Sequence, residues 1–191
     1  KALDDTSKED FGILHVDAHH DLREAYEGFT YSHASIFYNV LNECKNVSKL
    51  IQVGIRDYSK EEAQRMINLG DKGDCLYDTA MQAQIATGKS LEEVFTPYIE
   101  QLPKNVYISI DIDGLEPLNC PNTGTPVPGG LRYGELDHLI FMVVKSGRKI
   151  IGFDLVEVGD SKNGWDANVG ARVLYNLCGA LLASQGKIEY R

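Results

Sequence analysis

Three of the four long apolar runs in this chain lead directly into acidic or histidine-bearing residues, and that coupling restricts the fold more than any other feature. FGILHV (11–16), KLIQVGI (49–55), VYISIDI (106–112) and KIIGFDLV (149–156) are dense in branched and aromatic residues. Runs so rarely interrupted by polar side chains fit strands buried on both faces, as in a parallel sheet. Between them lie helix-like stretches at His33 to Cys44, Lys60 to Leu69, Leu91 to Gln101 and Tyr133 to Lys145. A last one spans about Asp166 to Ser184, with Asp166 as its expected N-cap. Alternating strand and helix implies right-handed βαβ units and a sheet covered on both faces. The expected class is therefore α/β, a three-layer αβα arrangement around a mainly parallel sheet.

Open sheets of this kind bind ligands in the crevice beyond the carboxyl ends of their strands, so polar clusters should follow the apolar runs. VDAHHD follows FGILH, DIDG closes VYISI, and DLVEVGD closes KIIGF. Gly-rich PVPGG (126–130) and GDSKNG (159–164) supply irregular backbone near the same edge. A formal charge of −9, from 19 basic against 28 acidic residues, argues against nucleic acid or an anionic membrane as partner. The same sign suits a small cationic substrate. Cys44, Cys75, Cys120 and Cys178 stand far apart, which suggests neither a disulfide framework nor a zinc knuckle, and a cytoplasmic location is expected. No apolar run approaches the ~20 residues of a membrane helix, and KALDDTSKED is too polar for a signal peptide. At 191 residues the chain fits one domain.

Asp17, His19 and Asp21 stand two apart, so on extended backbone they share a face. Asp111 and Asp113 form a second i, i+2 pair at another strand end. Four carboxylates and an imidazole at one edge would repel strongly if ionised and unneutralised. Two divalent cations would cancel the four charges. Oxygen-rich ligation with some imidazole suits Mn²⁺, with Fe²⁺, Co²⁺ or Zn²⁺ open alternatives. The plain alternative is that these aspartates are turn formers and helix caps.

DAHHD (17–21), SHAS (32–35), SIDIDGLEP (109–117), NTGTPVPGG (122–130) and FDLVEV (153–158) together resemble the ureohydrolase family, which includes arginase, agmatinase, guanidinobutyrase and formimidoylglutamase. The family signatures read D-A-H-x-D and S-x-D-x-D-x-x-D-P, and Glu116 departs from the second by replacing an aspartate. The resemblance implies an arginase-like fold and metal ligands Asp17, His19, Asp21, Asp111 and Asp113. It implies two Mn²⁺ ions and a trimer or hexamer for the intact protein. Relatives carry an upstream Gly-Gly-(Asp or Glu)-His segment whose histidine completes one metal site. Residues 1–191 are therefore expected to be the C-terminal portion of a single ureohydrolase domain, its N-terminal part missing and its metal site incomplete. His20, in the variable position of the motif, is expected to point away from the metals. His15 is expected to be a satisfied core histidine.

The reaction implied is attack of a metal-bridging hydroxide on a planar guanidinium carbon, releasing urea and an amine. By the same resemblance His33 protonates the leaving amine, Glu157 grips the guanidinium, Thr125 lies near the same group, and Asp21 orients the nucleophile. The loop LREAYEGFTYS lacks the Asn-based pattern with which arginase reads an amino-acid head group, and it contains Glu24 and Glu27. Acidic residues there suit an amine tail, so agmatine is expected over arginine. Arginase, guanidinobutyrase and formimidoylglutamase activities stay open. A deacetylase on the same general fold would carry a single zinc with a different ligand pattern, and an inactive scaffold is the non-enzyme reading.

Overall fold

The strands β1 (Phe11–Val16), β2 (Val47–Val53), β3 (Gly73–Leu76), β4 (Asn105–Asp111) and β5 (Lys149–Val156) all pair in parallel, in the order β3-β2-β1-β4-β5. The computed structural model describes residues 1–160 and 162–189. Ser161, within the expected 159–164 loop, lies outside the described residues. From the central β1 the chain builds outward through β2 and β3, then returns to the other side of β1 for β4 and β5. Right-handed crossovers travelling in opposite directions must set their helices on opposite faces. Helices α1 (Ala2–Thr6), α2 (Ile36–Glu43) and α3 (Lys60–Asn68) accordingly cover one face. Helices α4 (Asp78–Ala86), α5 (Leu91–Ile99), α6 (Tyr133–Lys145) and α7 (Trp165–Ser184) cover the other. The arrangement is the expected three-layer αβα fold.

Side-chain alternation along the strands feeds both cores. Leu14, Val16, Ile51, Val53, Ile108 and Ile110 pack toward α4–α7, whereas Phe11, Ile13 and Leu50 pack toward α1–α3. Two strand ends are set by local chemistry. β2 stops two residues before the expected Ile55, because Gly54 turns to φ +95° where an added Cβ would lie 2.9 Å from Leu131 and 3.2 Å from the Asp17 carbonyl. β4 stops at Asp111, whose carboxylate accepts from the Asp113 N–H at 2.9 Å and winds Ile112–Gly114 into a 3-10 turn. Ile112 therefore belongs to the turn and not to the strand.

Ser59 with Glu62 and Ser90 with Glu93 form reciprocal capping boxes that start α3 and α5. The expected N-cap of the last helix is corrected: α7 is capped by Gly164 at φ +69°, and Asp166 sits inside the first turn. Asp166 is fully buried there and accepts from the backbone N–H of Asn122 at 2.9 Å and its side-chain amide at 3.0 Å. Its carboxylate thus ties the 120–125 loop to the helix start. Helices α1 and α4 and strand β3 were not expected from the apolar pattern. β3 is only GDCL, and the apolar residues of α4 do not gather into one stripe. β5 pairs on one side only, and its residues from Ile151 to Leu155 are half-buried. No helix among the described residues is long and apolar enough to cross a membrane.

Leu14, on the central strand, is 1% exposed. Leu14→Ala should lower unfolding free energy by about 2–5 kcal/mol, whereas Ile67→Ala on the exposed side of α3 should stay within about 0.5 kcal/mol. Urea denaturation of both variants checks the pair; equal effects would contradict the assigned core.

Candidate metal centre

Strands β1 and β4 are neighbours at which the direction of sheet growth reverses, and such a switch point opens a crevice at the carboxyl ends of the strands. The segment after β1 carries Asp17, His19 and Asp21, and the turn after β4 carries Asp113, with Asp111 closing the strand itself. The two segments are bonded to each other: the Ala18 N–H donates to Asp113 Oδ1 at 3.1 Å. They also touch so closely that a Cβ on Gly114 would meet the Asp17 backbone nitrogen at 2.8 Å. Only glycine fits there.

Two sets of donor atoms converge, each within 4.8 Å: Asp17, His19 and Asp113, and His15, Asp17 and Asp21. Asp17 belongs to both. Nδ1 of His19 lies 3.3 Å from Asp17 Oδ1 and 3.2 Å from Asp113 Oδ2. Asp111 falls in neither set but lines the same cavity as His19 and Asp21. The backbone of Asp21 is left-handed, at φ +54°, with its carbonyl accepting from the N–H groups of Phe37 and Tyr38 at the start of α2.

A cavity of about 340 Å³ is lined by His19, Asp21 and Asp111 together with His33, Thr125 and Glu157. The His33 ring is held edge-on by Tyr26 at 5.3 Å. Thr125 donates its hydroxyl proton to Asp113 Oδ2 at 3.1 Å. Glu157, also left-handed at φ +58°, rests its carboxylate beside Gly124. All of the sequence-derived site residues thus gather at one edge of the sheet, with Asp17 and Asp113 buried beneath the cavity floor.

Glu24 and Glu27, expected to face an amine tail, do not line the cavity. Glu24 pairs with Arg65 at 3.1 Å, and Glu27 with Gly28 makes the exposed two-residue turn between Tyr26 and Phe29. The acidic residues that do line it are Asp57 and Glu62. Glu62 is already engaged by the Ser59 and Leu22 N–H groups and lies 3.4 Å from Arg23 Nε, so Asp57 is the less committed carboxylate. Arg56 was also missed. Its guanidinium donates to the carbonyls of Gly54 (3.0 Å), Asp113 (2.6 Å) and Val127 (2.9 Å), fastening three loops of the site together. A cation directly after a buried strand was the available signal.

The charges at this edge cannot all coexist. Burial, reinforced by the charge of Asp17, pushes the Asp21 carboxyl up to about 8. Burial with Asp17 and Asp113 nearby pushes Asp111 up to about 10. His19 is opposed by burial, but hydrogen bonds to Asp113 and Asp17 prevail and raise it to about 10. Burial disfavours the Asp17 carboxylate too, yet His15 and His19 outweigh it and hold Asp17 below the ordinary carboxylate range. A donor set of oxygen atoms and one imidazole, in which two carboxyls keep protons at neutral pH for want of positive charge, fits divalent cations.

A family-wide sequence model described as the arginase family matches residues 1–179. The chain belongs to the arginase family. It is 35% identical over 170 residues to the N(1)-aminopropylagmatine ureohydrolase of Thermus thermophilus, covering 89% of this chain and 54% of that protein. It is 37% identical over 155 residues to the agmatinase of Halalkalibacterium halodurans, covering 78% and 47%. The solved agmatine ureohydrolase of Thermoplasma volcanium superposes with a TM-score of 0.74 at 26% identity, covering 96% of this chain and 58% of that one. The chain spans about half the length of the curated relatives it matches. Arginase-family members are metal-dependent ureohydrolases that use two metal ions.

The raised carboxyls set the pH dependence of the metal-free chain. Unfolded, Asp21 and Asp111 lose their protons near pH ~4, whereas folded they keep them to about 8 and about 10, so the folded state binds more protons in between. Their contribution is present below the unfolded pKa and lost as pH rises through the folded one; His19, also raised, adds the same sign. The melting temperature of chelator-treated protein should therefore fall from about pH 5 to about pH 9, and saturating Mn²⁺ should remove most of that slope. A melting temperature that rises over the same range would contradict the assigned electrostatics.

Proposed function

We propose that this chain supplies the metal and substrate residues of a ureohydrolase acting on a guanidino compound with an amine tail, agmatine being the preferred substrate. The observation that carries the reading is Asp17, a buried carboxylate common to two donor sets at the sheet's switch point, whose partners His19 and Asp21 line one cavity together with His33 and Glu157. Asp17, His19, Asp21, Asp111 and Asp113 would hold two divalent cations, with Mn²⁺ the preferred ion. When bound, the cations supply Lewis acidity and make water acidic enough to act as a nucleophile near neutral pH.

The chain's own residues divide the remaining work. Glu157 accepts paired N–H donors of the planar guanidinium and fixes its plane toward the aspartates. Thr125 has given its hydroxyl proton to Asp113, which leaves its oxygen lone pairs to accept a further guanidinium N–H. Asp21 orients the attacking water. His33 donates a proton to the departing amine, so urea and a free amine leave. Tyr26 keeps the His33 ring turned to that position.

For the tail, support comes from the names of the relatives and from Asp57 at the cavity, which takes the place first given to Glu24 and Glu27. The same reading takes residues 1–191 as the C-terminal portion of one ureohydrolase domain within a cytoplasmic homo-oligomer. The unpaired outer side of β5, the length of the relatives and the free thiols of Cys44, Cys75, Cys120 and Cys178 support it.

The test is urea release by the full-length protein with added Mn²⁺, compared for agmatine, arginine and 4-guanidinobutyrate. Agmatine should be turned over with the highest kcat/KM, and preference for either carboxylate-bearing compound would overturn the tail assignment. His33→Ala should lower kcat by ~10²–10⁴-fold with metal content unchanged, while Glu157→Gln should act mainly on KM. Loss of metal from His33→Ala would instead make that histidine a ligand.

A further inference from the structure

Between the sheet and the α2–α3 layer, directly below the candidate ligands, runs a chain of buried polar side chains that the proposed chemistry does not use. His15 on β1 and Gln52 on β2 are register partners, so both project from the same face, and both are essentially inaccessible, as is His20. Gln52 stands among the apolar neighbours Leu50, Ile51 and Val53, where an unpaired amide would be strongly disfavoured. Its placement is therefore tied to partners, and those partners determine where protons sit.

The side-chain nitrogen of Gln52 lies 2.9 Å from the carbonyl oxygen of His20. Only an N–H can make that contact; the flipped amide would set two oxygens against each other. With the amide so oriented, its nitrogen also reaches His15 Nδ1 at 2.8 Å, and its oxygen reaches His20 Nδ1 at 2.6 Å. An amide N–H needs an acceptor, so His15 Nδ1 carries no proton. The single proton of the His15 ring must then be on Nε2, which faces Asp17 Oδ2 at 2.9 Å. By the same logic the amide oxygen needs a donor, so His20 carries its proton on Nδ1, and its Nε2 faces the Tyr77 hydroxyl at 3.3 Å.

We infer that Gln52 is a positioning residue that fixes His15 as an Nε2–H donor to Asp17, so that His15 orients the carboxylate common to both donor sets and does not itself ligate a cation. The inference rests on the metal-centre reading for the role of Asp17, but the placement of the protons does not. Proximity alone would have made His15 a ligand, since its ring nitrogen falls within one of the converging donor sets. A nitrogen that holds a proton has no lone pair to give. Asp17 thus receives one directed hydrogen bond on Oδ2 from His15, while its Oδ1 accepts from the backbone N–H of His19 at 2.6 Å. Held at both oxygens, the carboxylate has a fixed plane before any cation arrives. Partners that orient metal ligands in this way typically change metal affinity by about 10–100-fold when removed.

Long-range ¹H–¹⁵N correlation spectra of the ¹⁵N-histidine-labelled chain read the tautomers directly, with assignments from His15→Gln and His20→Gln. His15 should show an unprotonated, pyridine-type Nδ1 and a protonated, pyrrole-type Nε2; His20 should show the reverse. Added Zn²⁺, a diamagnetic probe, should shift the His19 nitrogens and leave His15 Nε2 protonated. Gln52→Met should release the His15 tautomer and raise the Mn²⁺ dissociation constant by about 10–100-fold. A protonated His15 Nδ1 in the unaltered chain, or loss of its Nε2 proton on Zn²⁺ addition, overturns the inference. A folded Gln52→Met chain with unchanged tautomer and unchanged Mn²⁺ affinity overturns it as well. His19 signals that ignore Zn²⁺ would overturn the metal-centre reading, and with it the ligand role of Asp17, independently of the tautomers.

Discussion

Mutual repulsion among the carboxylates at the ends of β1 and β4 is the constraint around which the surrounding structure is arranged. Asp17, Asp21, Asp111 and Asp113 are largely removed from water, where each would otherwise be solvated and screened. The fold answers by giving three of them specific partners for the carboxylate. Asp17 is bonded by His15 and the His19 N–H, Asp113 by Thr125 and the Ala18 N–H, and Asp111 by the Asp113 N–H. Asp21 has its backbone anchored by α2 instead. These bonds orient the acids but do not neutralise them, and burial with neighbouring charge still pushes the Asp21 and Asp111 carboxyls above the ordinary carboxylate range.

Arg56 and Asp166 show how far from the ligands this arrangement extends. Arg56 contributes a positive charge that is spent on carbonyl oxygens, including that of Asp113, and so braces the floor without competing for the carboxylates. Asp166 does the complementary task at the far wall, where its buried carboxylate secures Asn122 and hence the short loop that leads to Thr125. One fixed charge of each sign therefore ties a loop to a regular element. Both loops leave the carboxyl edge of the sheet, where backbone groups have no ladder partners of their own.

What could be read from the residue order follows from how strongly each feature depends on neighbours in the chain. Strands β1, β4 and β5 are largely continuous apolar runs, and the parity of Asp17, His19 and Asp21 is a property of extended backbone, so both were legible. β3 was not, because a four-residue strand with two polar positions owes its place to β2 alone. Glu24 does not reach the cavity for a related reason: Arg65 on α3 pairs with it and draws it outward. Gln52 offered a signal that was passed over. A lone amide inside KLIQVGI marks a polar partner across the sheet, and that partner is His15, the expected satisfied core histidine.

The left-handed residues complete the physical picture. Among the described non-glycine residues, Asp21, Glu27 and Glu157 have positive φ, a conformation that costs side-chain-bearing residues about 1–3 kcal/mol and persists only where the surroundings impose it. Glu27 is accounted for by its tight turn with Gly28. Asp21 and Glu157 sit instead where the chain leaves β1 and β5, and in each case the reversal in backbone direction does two things at once. At Asp21 the carbonyl turns to the first N–H groups of α2 while the side chain turns to the cavity. At Glu157 the chain leaves the sheet while the carboxylate swings back over Gly124, where a larger neighbour would crowd it. At Glu157, which directly follows β5, a relaxed backbone would continue the strand and carry the carboxylate away from Gly124, because successive side chains of a strand alternate. The strain is thus the means by which two acids from strands on either side of β4 come to face the same cavity.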